Sequence, residues 1–185
     1  MDHSVQDTRD LNITGNAQSH GGQFRKVRIT GESIIQGNLE CSRMRVVGQI
    51  QVLGNVQSDE VKVVGQMSVQ GNCSCESFHA RGAFSIGGLL NAGDISVKLF
   101  GPCEAKEIGC EHIAVRRTLR GFGDHKRLTV DVIEGDDIHL ESTRANVVRG
   151  KRVVIGPRCE IGLVEYQDEF RESAQSHVGE SRQVR

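Results

Sequence analysis

The chain has 185 residues and a formal net charge of −1 at pH 7, so the whole molecule lacks the basic excess typical of nucleic-acid-binding proteins. Aromatic residues make up 4% of the sequence, there is no tryptophan, and 22 glycines stand against 2 prolines. This composition suits a repetitive β-structure with many turns, and it excludes collagen because glycine does not recur at every third residue.

The first ten residues, 1–10, contain three acids and one base and no apolar stretch. They lack the features of a signal peptide, and no apolar run in the chain approaches the roughly 18 residues of a transmembrane helix. We therefore predict a flexible N-terminal tail and expect a cytoplasmic protein, in which cysteines stay reduced.

From residue 31 onwards, glycines recur in pairs. Within each pair the glycines are 6 residues apart, and each pair follows the last at a constant step of 17 along the sequence. A unit this short cannot bury a hydrophobic face alone and must stack on its neighbours, which predicts a solenoid. The pairs are Gly31/Gly37, Gly48/Gly54, Gly65/Gly71 and Gly82/Gly88.

Positions separated by this same step form columns of apolar or small residues, and within one repeat these positions come in pairs two apart. A spacing of two is the period of a β-strand, and glycines or polar residues between the pairs provide turns. We therefore predict a parallel β-helix with triangular coils of about 17 residues, each with three short strands and three corners. Representative columns are Ile29/Val46/Val63/Ala80, Ile50/Met67/Phe84 and Leu39/Val56/Cys73/Leu90.

The predicted β-helix extends over residues 11–166. Leu11 and Ile13 match Val27 and Ile29 at a step of 16, which gives a first coil. After Gly88, the matching corner is taken to be Gly101, a step of 13, which predicts a coil that has lost about one side.

The six cysteines include Cys73 and Cys75, a spacing that invites a metal or redox interpretation. Both fall in apolar columns, and the alignment at Gly101 places Cys103 in the column of Leu90. Buried cysteine behaves as a small hydrophobe, and a zinc site needs a second pair of ligands. We predict a packing role, with no metal and no cofactor.

Residues 116–127 interrupt the period with five basic residues and one acid. This basic insertion, with its one phenylalanine, is a candidate surface for anionic lipid, nucleic acid or an acidic partner. The alternative interpretation is a solvated excursion whose charges meet the acidic residues Glu134, Asp136, Asp137 and Glu141. The residues predicted to contact a partner are Arg116, Arg117, Arg120, Phe122, Lys126 and Arg127.

The acidic segment 133–141 does not predict a catalytic site. Ile138 and Leu140 alternate with His139 and Glu141, which places the charges on the outer face of a strand. No nucleophile arrangement, phosphate-binding loop or zinc signature accompanies them, so we predict no catalytic residues and no enzyme. Residues 167–185 are polar without periodicity and are predicted to be a disordered C-terminal tail.

Two segments, VVGQIQVLGNV at 46–56 and KVVGQMSVQGN at 62–72, resemble coils of the bactofilins, the polymer-forming cytoskeletal proteins. The resemblance covers about residues 11–165. The stretches IEGDDIHLE at 133–141 and VRGKRVVIGPRCEI at 148–161 are similar to the longer, two-part members of Gram-positive bacteria. The resemblance implies a right-handed β-helix that polymerises without nucleotide into a cytoplasmic scaffold for cell shape, division, motility or the localisation of other proteins.

Our main hypothesis is therefore a cytoskeletal scaffold that assembles end to end, because an uncapped coil exposes unpaired backbone groups. The implied partners are other copies of the chain in a head-to-tail polymer, a related paralogue or client proteins, and no nucleic acid. Many bactofilins bind membranes through an apolar N-terminal segment, which residues 1–10 do not provide. The residues predicted at the polymerising ends are Leu11, Ile13 and Phe24 at one end and Ile161, Leu163, Val164 and Tyr166 at the other.

Two other functions compete with the scaffold. One is a non-polymerising adaptor that recruits partners through the basic insertion. The other is a β-helix enzyme, either a hexapeptide acyltransferase, whose coils are built from equal hexapeptides, or a polysaccharide-active protein, which needs aromatic platforms that this chain lacks.

Overall fold

The computed structural model describes residues 9–118 and 125–185 as an all-strand chain. Its seven strands form one sheet in the order of the sequence, and each strand pairs in parallel with the next. The strands are β1 (Leu11–Val52), β2 (Val56–Val69), β3 (Cys73–Arg117), β4 (Leu128–Leu140), β5 (Thr143–Ile155), β6 (Glu160–Glu172) and β7 (His177–Gln183).

The strands wind around one axis as a β-solenoid. β1 pairs with β2 at a step of 17, with Leu39 opposite Val56, and β2 pairs with β3 at the same step. Within β2, buried residues come in three pairs separated by exposed ones, which gives each coil three inward-facing sides. These pairs are Val56/Ser58, Val61/Val63 and Met67/Val69. The predicted β-helix and its period of 17 are confirmed here.

Two corners show why the sequence places glycine and asparagine where it does. Gly65 has a φ of 130°, and a Cβ atom at this position would lie 2.1 Å from the carbonyl oxygen of Gly48 in the preceding coil. At the other corner, the backbone N–H of Asn55 donates to Oδ1 of Asn38 at 2.8 Å, and that of Asn72 donates to Oδ1 of Asn55 at 2.8 Å. The asparagine side chains thus link successive coils along the axis.

The predicted shortening at Gly101 is wrong. Gly101 lies against Ala83, since a Cβ atom at Gly101 would be 3.0 Å from the Cβ atom of Ala83, so the step is 18 and not 13. Residues 98–102 form an enlarged corner, and Leu99 within it is fully buried. Cys103 follows this corner, and its thiol lies 3.7 Å from the carbonyl oxygen of Gly82, so Cys103 does not extend the Leu90 column.

The second half of the solenoid has smaller coils. β4 pairs with β5 at a step of 15, with Leu128 opposite Thr143 and Leu140 opposite Ile155. Two residues, Glu141 and Ser142, form the corner between the buried Leu140 and Thr143, whereas the same corner of the earlier coils has three residues. Ser142 has a φ of 47°. The coil therefore becomes shorter by tightening its corners and keeps its inward-facing pairs.

The basic insertion lies at a corner of the solenoid. Residues 116–127 separate Val115, which pairs with Leu140, from Leu128, which pairs with Thr143. The rest of the coil is in register on both sides, which is why a long insertion is tolerated at this position. Residues 119–124, including Arg120 and Phe122 of the predicted partner surface, lie outside the described residues.

The predicted disordered tail at 167–185 is wrong over most of its length. β6 continues to Glu172, and β7 then pairs with β6, with Val178 opposite Ile161 and Gln183 opposite Tyr166. The sequence did not reveal this coil because most of its inward positions hold polar residues. The ordered solenoid therefore extends to Gln183.

A single hydrophobic core runs through the interior. All six cysteines are free, and their packing role is confirmed for Cys73 and Cys103, which are fully buried. Cys159 is also buried, whereas Cys75 and Cys110 are partly exposed and pack against the core. No helix in the described part of the chain is long and apolar enough to cross a membrane.

Candidate functional site: the two ends of the solenoid

The N-terminal end of the solenoid is apolar. Leu11 is half-buried, and Ile13 and Phe24 are each 8% exposed in the first described coil. Among residues 9–118 and 125–185, no strand precedes this coil, so the outer edge of Leu11 and Ile13 carries backbone groups that no described strand pairs. An edge of this kind is a template for a further strand.

The first coil is fixed to the second by its charged residues. Arg25 donates to both carboxylate oxygens of Asp10, from Nε at 2.9 Å and from one terminal nitrogen at 3.0 Å. The backbone N–H of Arg25 also donates to the carbonyl oxygen of Arg9 at 3.1 Å. Arg9 and Asp10, predicted as part of the N-terminal tail, are thus held on the solenoid, and residues 1–8 lie outside the described part.

The C-terminal end is polar. In β7, Ser181 stands on Val164 and Gln183 on Tyr166, so smaller or more polar side chains follow those of β6. Val178 is the one aliphatic residue of this strand that packs on the core. The polar residues of β7 thus cover the apolar layer of β6.

The residues predicted at the C-terminal polymerising end therefore do not form the end of the rod. Ile161 and Val164 are buried beneath β7, and Leu163 turns a corner opposite Glu180. Tyr166 pairs with Gln183 and stacks on Phe170 with ring centroids 5.4 Å apart. The structure keeps Leu11, Ile13 and Phe24 at one end, but it places β7 at the other.

An alternating charge column fastens β7 to the solenoid. Glu134, Arg149, Glu165 and Arg182 follow one another at successive coils. The Glu165 side chain is only 11% exposed, and it accepts hydrogen bonds from Arg182 at 2.9 Å and from Arg149. These two guanidinium groups hold the pKa of Glu165 below its ordinary value. The column explains how a strand with little apolar content stays attached.

The described part of the basic insertion is anchored at both of its ends. The hydroxyl of Thr118 donates to the carbonyl oxygen of Leu99 at 2.7 Å, and Arg127 lies 3.5 Å from a carboxylate oxygen of Glu160. Arg116 is exposed, and Lys126 is half-buried. The insertion therefore leaves and re-enters the solenoid at fixed points.

Within the described part of the insertion, the acidic segment meets it at Arg117. The backbone N–H of Arg117 donates to the Glu141 carboxylate at 3.0 Å. The other carboxylates face the next coil, since Lys151 donates to Asp136 at 3.0 Å and Arg152 donates to Asp137. Arg152 holds the pKa of Asp137 below its ordinary value.

The arrangement of ionisable side chains gives little basis for reaction chemistry. Among residues 9–118 and 125–185, no group of three or more His, Cys, Asp or Glu side chains is placed to hold a metal ion. Burial raises the pKa of the Cys103 thiol to about 12 and that of the Cys159 thiol to about 11. Such thiols are poor nucleophiles near neutral pH because they remain protonated.

The outward-facing positions of the coils also form columns, which the inward apolar pattern does not reveal. Arg28, Arg45 and Lys62 follow one another at a step of 17 on one side of the rod, and Asp59 and Glu76 are separated by the same step on another. Reading the polar positions with the same period would have found both series.

Two proteins of Bacillus subtilis (strain 168) are similar to part of this chain. The uncharacterized protein YhbF is 49% identical over 82 residues, which cover 43% of this chain and 35% of YhbF. The uncharacterized protein YhbE is 44% identical over 91 residues, which cover 46% of this chain and 38% of YhbE. The matches thus span little more than a third of the length of these relatives. No family model matches the chain. No solved structure matches it either.

Proposed function

We propose that this protein is a cytoplasmic scaffold that assembles end to end into filaments without nucleotide, in keeping with its resemblance to the bactofilins. The observation that carries the proposal is the apolar N-terminal end, where the edge of Leu11 and Ile13 has no strand beyond it among the described residues. Burying that edge against another copy removes apolar surface from water and pairs its backbone groups.

A head-to-tail contact fits the path of the chain best. β7 ends at Gln183, which stands on Tyr166. The next side of the triangular coil carries Phe170, and Leu11 lies on that same side in the first coil. A second molecule placed there continues the coil with all strands parallel, as they are within the rod. Phe170 then lies below the Leu11 of the next copy, which continues an apolar column.

Negative-stain electron microscopy of the purified chain without nucleotide or divalent metal tests the proposal. We expect filaments from the wild-type protein and their loss in Leu11→Asp, because a carboxylate would be buried at the contact. Leu53→Asp is the matched control: Leu53 is 39% exposed on the side of the rod, so the same change there should leave filaments intact.

Wild-type protein that stays monomeric at tens of micromolar and low salt would overturn the proposal. Leu11→Asp must keep the β-sheet circular dichroism spectrum of the wild type, so that lost assembly is not lost folding. Equal loss of filaments in Leu11→Asp and Leu53→Asp would place the contact elsewhere.

Recruitment of a partner through the basic insertion is a second candidate function. It is favoured by the two ends of the insertion, Thr118 and Arg127, which are both anchored to the solenoid. Replacing Arg116, Arg117 and Lys126 by glutamine tests it. Loss of partner binding with filaments intact would support recruitment as a separate activity.

A further inference from the structure

The first half of the rod has one basic side. We call it the basic face, and it lies on the outside of the strand segments around Met44 and Val61. A shallow groove runs along it, lined by cations of successive coils and one acid, Glu60. Beyond Lys62, the next coil adds Arg81, which stands on Val64. The cations of the basic face are Lys26, Arg28, Arg43, Arg45, Lys62 and Arg81.

Most of this charge is uncompensated. Lys62 pairs with Glu60 at 2.6 Å, but within residues 9–118 and 125–185 no ion pair involves Arg28, Arg45 or Arg81. All three are exposed. A side with this much positive charge and little countercharge attracts a negatively charged partner.

A neighbouring side of the same coils carries the opposite charge. We call it the acidic face, and it lies on the outside of the segments around Leu39, Val56 and Cys73. A second shallow groove runs along it, and no ion pair of the described residues joins Asp59 or Glu76 to a cation. The acids of this face are Glu40, Asp59 and Glu76, and the cation that also lines the groove, Arg25, pairs with Asp10.

The two faces carry opposite charges, and their charges repeat at the same spacing. Both charge series belong to the same stacked coils, so each repeats at the strand spacing of about 4.8 Å. Each face is also bordered by exposed apolar side chains, at the corner remote from the other face. Val47 and Val64, 41% and 47% exposed, border the basic face, and Leu53 and Leu89, 39% and 36% exposed, border the acidic face.

We infer that the basic face binds the acidic face of a second copy of this chain, side by side. The period is the same on both rods, so one ion pair forms per coil and the pairs remain in step along the contact. Single exposed ion pairs contribute little, but a row of them with an apolar border gives a specific contact. The contact joins two different surfaces, so it can repeat from copy to copy and produce a closed ring or an open array.

This lateral contact does not depend on the end-to-end contact, and the test separates the two. All variants are made in a Leu11→Asp background, which removes the proposed end contact. The basic face is reversed by Arg28→Glu with Arg45→Glu, and the acidic face by Asp59→Lys with Glu76→Lys. Every side chain replaced on the two faces is exposed, and circular dichroism checks the fold of each variant.

Sedimentation velocity at about 50 mM salt should show self-association of the Leu11→Asp parent, which disappears at about 1 M salt as the charges are screened. Each reversed variant should associate at least about tenfold more weakly by itself. An equimolar mixture of the two should associate again, because the first variant keeps its acidic face and the second keeps its basic face.

Lys106→Glu with Arg144→Glu is the matched control, since it makes the same change in net charge as the basic-face reversal, on exposed residues outside both faces. It should associate as the parent does. The proposal is overturned if the mixture stays monomeric or if the control is weakened equally.

Vesicles of phosphatidylcholine with phosphatidylserine, and a DNA duplex, are tested in parallel. If the parent stays monomeric at low salt but binds either of these through Arg28 and Arg45, the basic face serves that ligand and the lateral contact is refuted.

Discussion

Gly65 rests on the carbonyl oxygen of Gly48 so closely that a Cβ atom at Gly65 would lie 2.1 Å from that oxygen. Gly65→Ala should therefore destabilise the solenoid twice, by strain at a φ of 130° and by a collision between two backbone segments. We expect a loss of about 3 kcal/mol or more in the free energy of unfolding, measured by urea denaturation.

Gly37 provides the control for this prediction. Its φ is 105°, but a Cβ atom there would meet nothing within 4 Å. Gly37→Ala should cost only the backbone strain, about 1–2 kcal/mol. If the two variants lose equal stability, the close approach of the coils at Gly65 has no energetic consequence.

The asparagine ladder should contribute measurably to stability. Asn55→Ala removes the acceptor of the hydrogen bond from the backbone N–H of Asn72, which is 2.8 Å long. We expect a loss of about 1 kcal/mol, since the donor is left without its partner at a corner that water reaches. Urea denaturation measures the loss, and Asn16→Ala, at an exposed position of the first coil, should change stability much less.

The ion pairs of Glu165 with Arg149 and Arg182 predict how the free energy of unfolding changes with pH. Arg182 and Arg149 lower the pKa of Glu165 in the folded state, so its contribution to stability is present above the ordinary value of 4.5 and is lost as the pH falls towards the folded-state pKa. The difference in unfolding free energy between wild type and Glu165→Gln should be largest at neutral pH and shrink in acid. In an Arg149→Gln and Arg182→Gln background, the same change at Glu165 should lose this trend, because the two guanidinium groups cause it.

Thiol labelling should distinguish the buried cysteines from the others. Burial raises the pKa of Cys103 to about 12, so almost none of it is thiolate near pH 8, and its side chain is also inaccessible. Cys103 and Cys73 should resist iodoacetamide in the folded protein, as read by mass spectrometry. All six cysteines should react in denaturant, and rapid labelling of Cys103 without denaturant would contradict the structure.

Val178 tests the direction of assembly. A head-to-tail contact uses β7, so Val178→Asp should reduce filament formation as Leu11→Asp does. If the rods instead meet through two N-terminal ends, Val178→Asp leaves that contact unchanged, and chemical crosslinking should link N-terminal coils to each other. His177→Asp, at an exposed position on the outer face of the same strand, controls for added charge.

The regular first half could be predicted from the sequence because its glycines and apolar residues share one period. Leu39, Val56 and Cys73 form a column at a constant step, as the register confirms. The enlarged corner at 98–102 could not be placed in this way. Gly101 matched a glycine in the sequence, but the contact that positions it is with Ala83, which only the folded chain reveals.

The last coil was missed for a different reason. Hydrophobic periodicity detects a strand only when its inward positions are apolar, and β7 places Ser181 and Gln183 there. The order of β7 comes instead from backbone pairing and from the contact of Arg182 with Glu165, which belongs to the coil before it. Hydrophobic periodicity likewise gives no sign of the basic face and the acidic face, because their residues are polar.

The enlarged corner at 98–102 has a consequence for how the chain folds. In a run of identical coils, a strand can pair with the wrong neighbour, one repeat away. Such a shifted pairing is not penalised, because each coil still packs on an equivalent coil. Here a slip by one coil would leave Leu99 without its place in the core and would set a longer coil of the first half against a shorter one of the second. The irregular coil therefore disfavours a shift in register across it.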